Sequence, residues 1–298
     1  MARETWSVQG RTVLITGAAR GIGAESARRL ASRGANLALV GLEPELLEQV
    51  AAECRPNAAA FEADVTDVAA LEGAVAATVE RFGGIDAVVA NAGVAGAGTV
   101  RSIDPASFER TIEINLLGTW RTVRACLPPV IERRGYVLVV SSLSAIAYAP
   151  GMAAYTASKA GVEAFSNALR IELAHLGVGV GVGYFGWIDT ELVAGADRHP
   201  AFGFARAKIP GPMGKTYPLS LAGDAIADGI ERRRRWVAVP WWIRGMLVLR
   251  GMLPPLLDAG GRRDAAEMDE RFLRDVERRG VEEASQPVGA GGAAVNRR

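Results

Sequence analysis

The sequence predicts an α/β fold, a doubly wound parallel sheet in a single domain that carries a C-terminal helical extension. Three observations predict it. Short apolar runs alternate with amphipathic helical patterns from Thr12 to about Pro240, with no linker among them. A glycine-rich turn, Gly17-Ala-Ala-Arg-Gly21-Ile-Gly23, stands directly between the first strand and the first helix. Polar or small residues recur where strands end: Gly17, Asp64, Asn91 and Ser142. Alternation of this kind implies right-handed crossovers, helices on both faces, and a ligand crevice at the carboxyl ends of the strands.

Strands are expected at 12–16, 36–40, 58–62, 86–90, 136–141, 178–184 and 236–239, with helices between successive members. The first, Arg11-Thr-Val-Leu-Ile-Thr16, leads into the glycine turn and then into the amphipathic run from Ala24 to Arg33. In that order, backbone N–H groups and a helix N-terminus can cradle a pyrophosphate, and glycines permit its close approach. Ala60-Phe-Glu-Ala-Asp64-Val65 and Ala87-Val-Val-Ala-Asn91-Ala-Gly93 each end a strand. Glu113-Ile-Asn115-Leu lies within a long helical pattern, and Tyr136-Val-Leu-Val-Val-Ser-Ser142 ends the fifth strand.

Thirteen positions after Ser142, Tyr155-Thr-Ala-Ser-Lys159 places a phenol and an ammonium on one face of a helix. An ammonium beside a phenol favours the phenolate and lowers a pKa that starts near ~10. Hydride transfer to a ketone builds charge on the carbonyl oxygen, so it needs hydrogen-bond donors and a proton source there. A phenol, a hydroxyl and an ammonium are such a set.

In this order the motifs resemble the short-chain dehydrogenase/reductase family, oxidoreductases with a Rossmann-like fold and a Tyr-x-x-x-Lys pair, over roughly residues 8 to 240. The resemblance implies that Tyr155 is the acid/base and that Ser142 polarises the carbonyl. It implies that Lys159 binds the nicotinamide ribose and depresses the tyrosine pKa, and that Asn115 anchors a water relay. It also implies cofactor binding by Gly17, Arg20, Gly21, Ile22, Gly23, Asp64, Val65, Asn91, Gly93, Tyr155, Lys159, Ile188 and Thr190.

The implied cofactor is NADP in preference to NAD. Gly41 stands where the family often has an acidic residue for the ribose 2′-OH, and Arg20 matches the basic residue that pairs with a 2′-phosphate. Leu42 and Glu43 are the features that leave NAD open. Phe185-Gly186 replaces the family's Pro-Gly, which loosens a turn near the nicotinamide. The implied activity is NAD(P)-dependent interconversion of a ketone or aldehyde and an alcohol. Two alternatives are a non-catalytic dinucleotide-binding sensor or scaffold, and a peripheral membrane lipid-modifying reductase.

The remaining features set bounds. A chain of 298 residues, 49% hydrophobic, can bury one large core, and a net charge of +1 excludes a global pull towards nucleic acid. Cys54 and Cys126 read as small buried hydrophobes, and His175 and His199 lack metal-ligand spacing, so no metal is expected. The N-terminus, Met1-Ala-Arg-Glu-Thr-Trp, lacks an apolar signal core, which favours a cytoplasmic protein. A homo-oligomer is the expected assembly.

Residues 1–240 read as the catalytic domain, with an aperiodic Gly- and Pro-containing lid at about 191–218. Phe202, Phe204, Met213, Trp241 and Trp242 point to an apolar small-molecule substrate. Residues 241–257 read as an amphipathic helix with a stripe of Trp242, Met246, Leu249 and Leu253. Arg244, Arg250 and the Pro pair interrupt it too much for a spanning helix. It would cover a pocket, a subunit contact or a membrane interface. Helix is expected to 282, and 283–298 is expected to be disordered.

Overall fold

The computed structural model describes residues 6–209 and 211–296; the first five residues, central to the signal-core reading, and the last two of the tail lie outside them. Among the described residues, β1 (Thr12–Thr16), β2 (Asn36–Gly41), β3 (Ala58–Glu62), β4 (Ala87–Ala90), β5 (Tyr136–Val140), β6 (Gly179–Phe185) and β7 (Trp236–Val239) form one sheet. Its order is β3-β2-β1-β4-β5-β6-β7, and every pairing is parallel. The expected strands are all present, with ends displaced by at most one residue. This is the doubly wound, Rossmann-like architecture, and its order reverses between β1 and β4.

Helices α1 (Gly21–Ser32), α2 (Pro44–Glu53), α3 (Val68–Phe82), α4 (Pro105–Ile112), α5 (Gly118–Glu132) and α6 (Ala153–Glu172) follow the first five strands. Local chemistry sets their ends. Asp67 and Asp104 cap α3 and α4 by accepting from Ala70 N and Ser107 N, each at 3.0 Å, and Gly83 closes α3 at φ 78°. Side chains of β1 alternate: Val13 and Ile15 join Leu30 and Ile226 in one layer, while Leu14 joins Val75, Val88 and Val162 in the other. Both faces of the sheet are therefore covered, as near-continuous apolar strands require.

After β6 come α7 (Glu191–Arg198), α8 (Pro200–Ala207) and α9 (Leu219–Glu231). The segment read as a lid is thus two short helices followed by a tight turn, rather than an aperiodic loop. Thr190 caps α7 by accepting from Val193 N (3.3 Å), and His199 caps α8 by accepting from Ala201 N (3.3 Å).

The C-terminal region departs further from expectation. Residues 241–257 do not make one helix: α10 spans Ile243–Val248, a 3₁₀ turn follows at Arg250–Met252, and α11 runs Leu253–Arg279. The break rotates the face, so Ile243 and Leu247 are the buried positions and Leu249 is 55% exposed. The tail expected to be disordered forms α12 (Val281–Ala284) and α13 (Ala290–Asn296). Among the described residues no helix is long and apolar enough to cross a membrane.

Candidate active site

The glycine turn is shaped by what it touches. Gly17 sits at φ 65°, and a Cβ there would stand 2.9 Å from Ala92 Cα. A Cβ on Gly23 would stand 2.3 Å from the Gly17 carbonyl oxygen, so no larger residue fits either place. Asn91 ties this turn to the sheet, donating from Nδ2 to the carbonyls of Thr16 (3.0 Å) and Gly17 (3.2 Å). Thr16 Oγ1 in turn accepts from Asn91 N at 3.1 Å. The expected cofactor residue Asn91 is thus also the clamp of the cradle.

A cleft opens along the carboxyl ends of the strands. Gly17, Arg20, Gly21, Ile22, Asp64, Val65, Asn91, Gly93, Ser142, Tyr155, Lys159, Ile188 and Thr190 all line it. Gly23 and Asn115, the other two expected site residues, are not on its wall and support it from behind. Asp64 is oriented by Thr66, whose N–H and hydroxyl both donate to Oδ1 at 2.8 Å.

Asn115 lies in a π-helical segment, Glu113–Leu117, where α4 runs on towards α5. It is fully buried: Oδ1 accepts from Val94 N (2.8 Å), while Nδ2 donates to Val94 O (2.9 Å) and Ser158 Oγ (3.0 Å). Ser158 Oγ donates onward to the Tyr155 carbonyl at 2.7 Å. Asn115 therefore links the end of β4 to the helix that carries the tyrosine. A Cβ on Gly93 would come within 3.1 Å of Asn115 Oδ1 and 3.4 Å of Lys159 Nζ, so a glycine keeps these two close.

Tyr155 is in the first turn of α6, and Lys159 is one turn on, 4% exposed, with Nζ donating to the Val140 carbonyl (2.9 Å). Its Nζ lies 5.8 Å from the centre of the Tyr155 ring. Ser142 ends β5, with Oγ accepting from Ser144 N at 3.1 Å. The electrostatics differ from the sequence expectation. Burial raises the Tyr155 phenol above its ordinary value, and the neighbouring Ser142 hydroxyl offsets part of this. Burial also pushes Lys159 down to about 8. Desolvation is the largest cause for both groups.

Two features were not foreseen. Arg20 is held by two carboxylates, donating from Nε to Glu43 at 2.8 Å and pairing through its other nitrogens with Glu43 and Glu191. The tail also reaches the cleft, where Val288, Gly291, Gly292, Ala294 and Val295 form part of the wall. Val288 N donates to Ala95 O and Arg110 donates to Val295 O, both at 2.9 Å. The signal was present as two valines seven residues apart within a Gly/Ala run, but that composition reads as disorder.

The apolar residues expected over the substrate are elsewhere. Phe202 and Phe204 pack with Met268 and Phe272 of α11, and Trp241 is 81% exposed. The apolar part of the cleft wall instead includes Val94, Phe185, Ile188, Leu192 and Val193.

Residues 11–201 match the family model described as short chain dehydrogenase. An NAD-dependent oxidoreductase of Mycobacterium tuberculosis is 35% identical over 259 residues, 80% of this chain and 92% of that protein. The trans-4-hydroxycyclohexanecarboxylate dehydrogenase of Sinomonas cyclohexanicum is 35% identical over 207 residues, 66% of this chain and 80% of that one. The crystal structure of levodione reductase is similar with a TM-score of 0.73 at 27% identity, covering 80% of this chain and 98% of that chain.

Burial of Lys159 has a consequence for stability. Its folded value of about 8 lies below the 10.5 of a free lysine, so between these values the unfolded chain binds more protons and stability rises with pH. Below about pH 8 the penalty is fully present. Urea unfolding from neutral to alkaline pH should show wild type gaining on Lys159→Met by roughly 1.4 kcal/mol per pH unit above that value. Parallel profiles for the two proteins would mean that the ammonium is solvated.

Proposed function

The chain belongs to the short chain dehydrogenase family, and we propose that Tyr155 is its acid/base, that Ser142 and Lys159 assist it, and that NAD is its cofactor. Oxidoreduction of CH–OH groups with a nicotinamide dinucleotide is the activity of the family, and this chain is such an enzyme. The observation that carries the residue assignment is the gathering of Ser142, Tyr155 and Lys159 on the wall of the same cleft as the glycine cradle.

A nicotinamide dinucleotide, when bound, supplies or accepts the hydride. In the reducing direction, the Tyr155 phenol donates its proton to the carbonyl oxygen as negative charge develops there, and the Ser142 hydroxyl donates a hydrogen bond to that oxygen. The C=O π bond becomes C–O–H, and solvent restores the proton to the phenolate. In the oxidising direction the phenolate takes the alcohol proton. Lys159 carries positive charge below about pH 8 and stabilises the phenolate. Asn115 keeps Val94 and α6 in register beneath them.

The preference for NADP read from Arg20 gives way to NAD. Charged cleft residues comprise Arg20 and Lys159 against Glu43, Asp64 and Glu191. A 2′-phosphate at the end of β2 would have to displace two carboxylates from Arg20 and then lie beside them, whereas a 2′-OH can donate to Glu43. The related NAD-dependent oxidoreductase agrees with this reading. The wall of Val94, Phe185, Ile188, Leu192 and Val193 favours an apolar alcohol or ketone, and the relative that acts on a hydroxycyclohexane carboxylate makes a cyclic secondary alcohol a reasonable first substrate.

The tail bears on cofactor entry. In this fold the ends of β2 and β3 hold the adenosine half of a dinucleotide. Val295, 6% exposed, clusters there with Ala63, Val65 and Ile114. An adenosine bound there would compete with Val295 for contact with Ala63, Val65 and Ile114, so α13 is expected to move aside for it.

Three results test this reading. Tyr155→Phe should lower NAD-linked turnover of cyclic secondary alcohols at least about 100-fold while leaving the NAD dissociation constant nearly unchanged. Turnover near the wild-type rate would remove Tyr155 from the chemistry. Glu43→Gln with Glu191→Gln should release Arg20 and shift the NADP/NAD affinity ratio upward by about 10-fold or more. A wild-type protein that already binds NADP more tightly would refute the NAD assignment. Finally, NAD addition should speed amide hydrogen exchange across residues 290–296, and slowed exchange there would show that the tail closes over the cofactor instead.

A further inference from the structure

Residues 232–257 contain six arginines and no aspartate or glutamate, in a chain whose net charge is +1. The same segment exposes large apolar side chains: Trp241 81%, Val248 72%, Leu249 55% and Met252 67%, with Leu256 at 70% beside them. Patches of this kind on one surface mark a contact with something. We propose that this face docks the enzyme peripherally on a bilayer that carries anionic headgroups.

The face is built on a firm base. Ile243 and Leu247, on the inner side of α10, pack with Ile146, Val182 and Tyr184. Positions 241, 244, 245, 248, 249 and 252 are exposed on the opposite side. Two of the arginines have partners in the fold: Arg250 pairs with Glu163, and Arg233 donates to the carbonyls of Gly135 (2.6 Å) and Gly177 (2.7 Å). The Arg234 pKa is depressed first by its partial burial and then by the nearby Arg244 and Arg232, with Asp228 offsetting part of this. Cationic charge is therefore concentrated beside exposed Trp, Met and Leu.

That combination decides between the two occupants such a face could have. A second copy docked through a two-fold axis that passed through the arginines would set the cluster against its own like, with no carboxylate in the segment to answer it. An anionic bilayer answers both parts at once: headgroups meet the guanidinium groups, and Trp241, Met252 and Leu256 enter the acyl boundary. Because no described helix can span a membrane, the contact is peripheral.

The docking face also connects to the site. Leu143, Ala145 and Ile146, which follow Ser142 directly, share a cluster with Trp242, Met246 and Leu253. Trp242 Nε1 donates to Tyr217 Oη at 3.2 Å, and Tyr217 pairs by backbone with Ile188 on the cleft wall. If the proposed activity on an apolar alcohol holds, this arrangement places its site next to a surface from which a lipophilic substrate can be drawn.

Flotation of the full-length protein with phosphatidylcholine vesicles, with and without phosphatidylglycerol, tests the docking without reference to turnover. Flotation is expected only with phosphatidylglycerol, weakened by salt, and reduced about 10-fold or more in Arg244→Glu and in Trp241→Ser/Met252→Ser. These positions are exposed, and NAD titration of each variant checks that its fold is intact. Absence of flotation, or flotation unchanged in both variants, would overturn the proposal. So would sedimentation data in which Trp241→Ser/Met252→Ser converts a wild-type dimer to a monomer, since the face would then join two subunits.

Discussion

The closeness of the glycine turn to the ends of β1 and β4 is the constraint from which the site follows. Gly23 has no room for a Cβ against the Gly17 carbonyl, and Gly17 has none against Ala92. Asn91 holds this contact by donating to two carbonyls that the turn leaves without strand partners. The strand order reverses at the same place, so the crevice opens where β1 and β4 diverge. If the turn moved outward, α1 would tilt away from the sheet, and the backbone N–H groups at its start would no longer face the cleft that Tyr155 and Lys159 share.

The second constraint is the exclusion of water on the other side of that cleft. Burial makes both the phenolate and the ammonium more costly, which is why Tyr155 is raised and Lys159 lowered in the free protein. Polar support has to come from fixed groups. The Val140 carbonyl receives the Lys159 ammonium, Ser142 faces the phenol, and Asn115 satisfies the N–H and carbonyl of Val94. Each of these is a strand end or a π-helical position and so moves little during proton transfer. Preorganisation of this kind lets a modest number of donors act strongly in a low-dielectric site.

Much of this was legible in the sequence because it depends on local pattern. Strand periodicity, the Gly17–Gly23 spacing and the Tyr155–Lys159 spacing are each contained within a few residues. What failed depended on partners distant in the chain. Arg20 reads as a phosphate ligand until Glu191, 171 residues away, is found against it. The Gly/Ala run at 289–294 reads as disorder because nothing in it demands burial, yet small residues are what allow a segment to lie close against Arg20 and α7. Phe202 and Phe204 were read as substrate contacts because nothing in their own helix reveals that α11 folds back over them.

The segment after β7 fails for a different reason, one of phase. A single helix through 241–257 would align Trp242, Met246, Leu249 and Leu253, and that stripe accounts for the apolar residues economically. The 3₁₀ turn at Arg250–Met252 breaks the phase, so Trp242, Met246 and Leu253 still pack inward with Ile243 and Leu247, while Leu249 is turned out with Val248 and Met252. One sequence thus supplies two apolar faces. The inner one is satisfied by Tyr184 and Ile146, and it fixes the orientation of α10 against the sheet edge. Because that anchor is rigid, the outer face cannot turn inward to escape water, and its apolar side chains remain on the surface alongside the arginines that precede them.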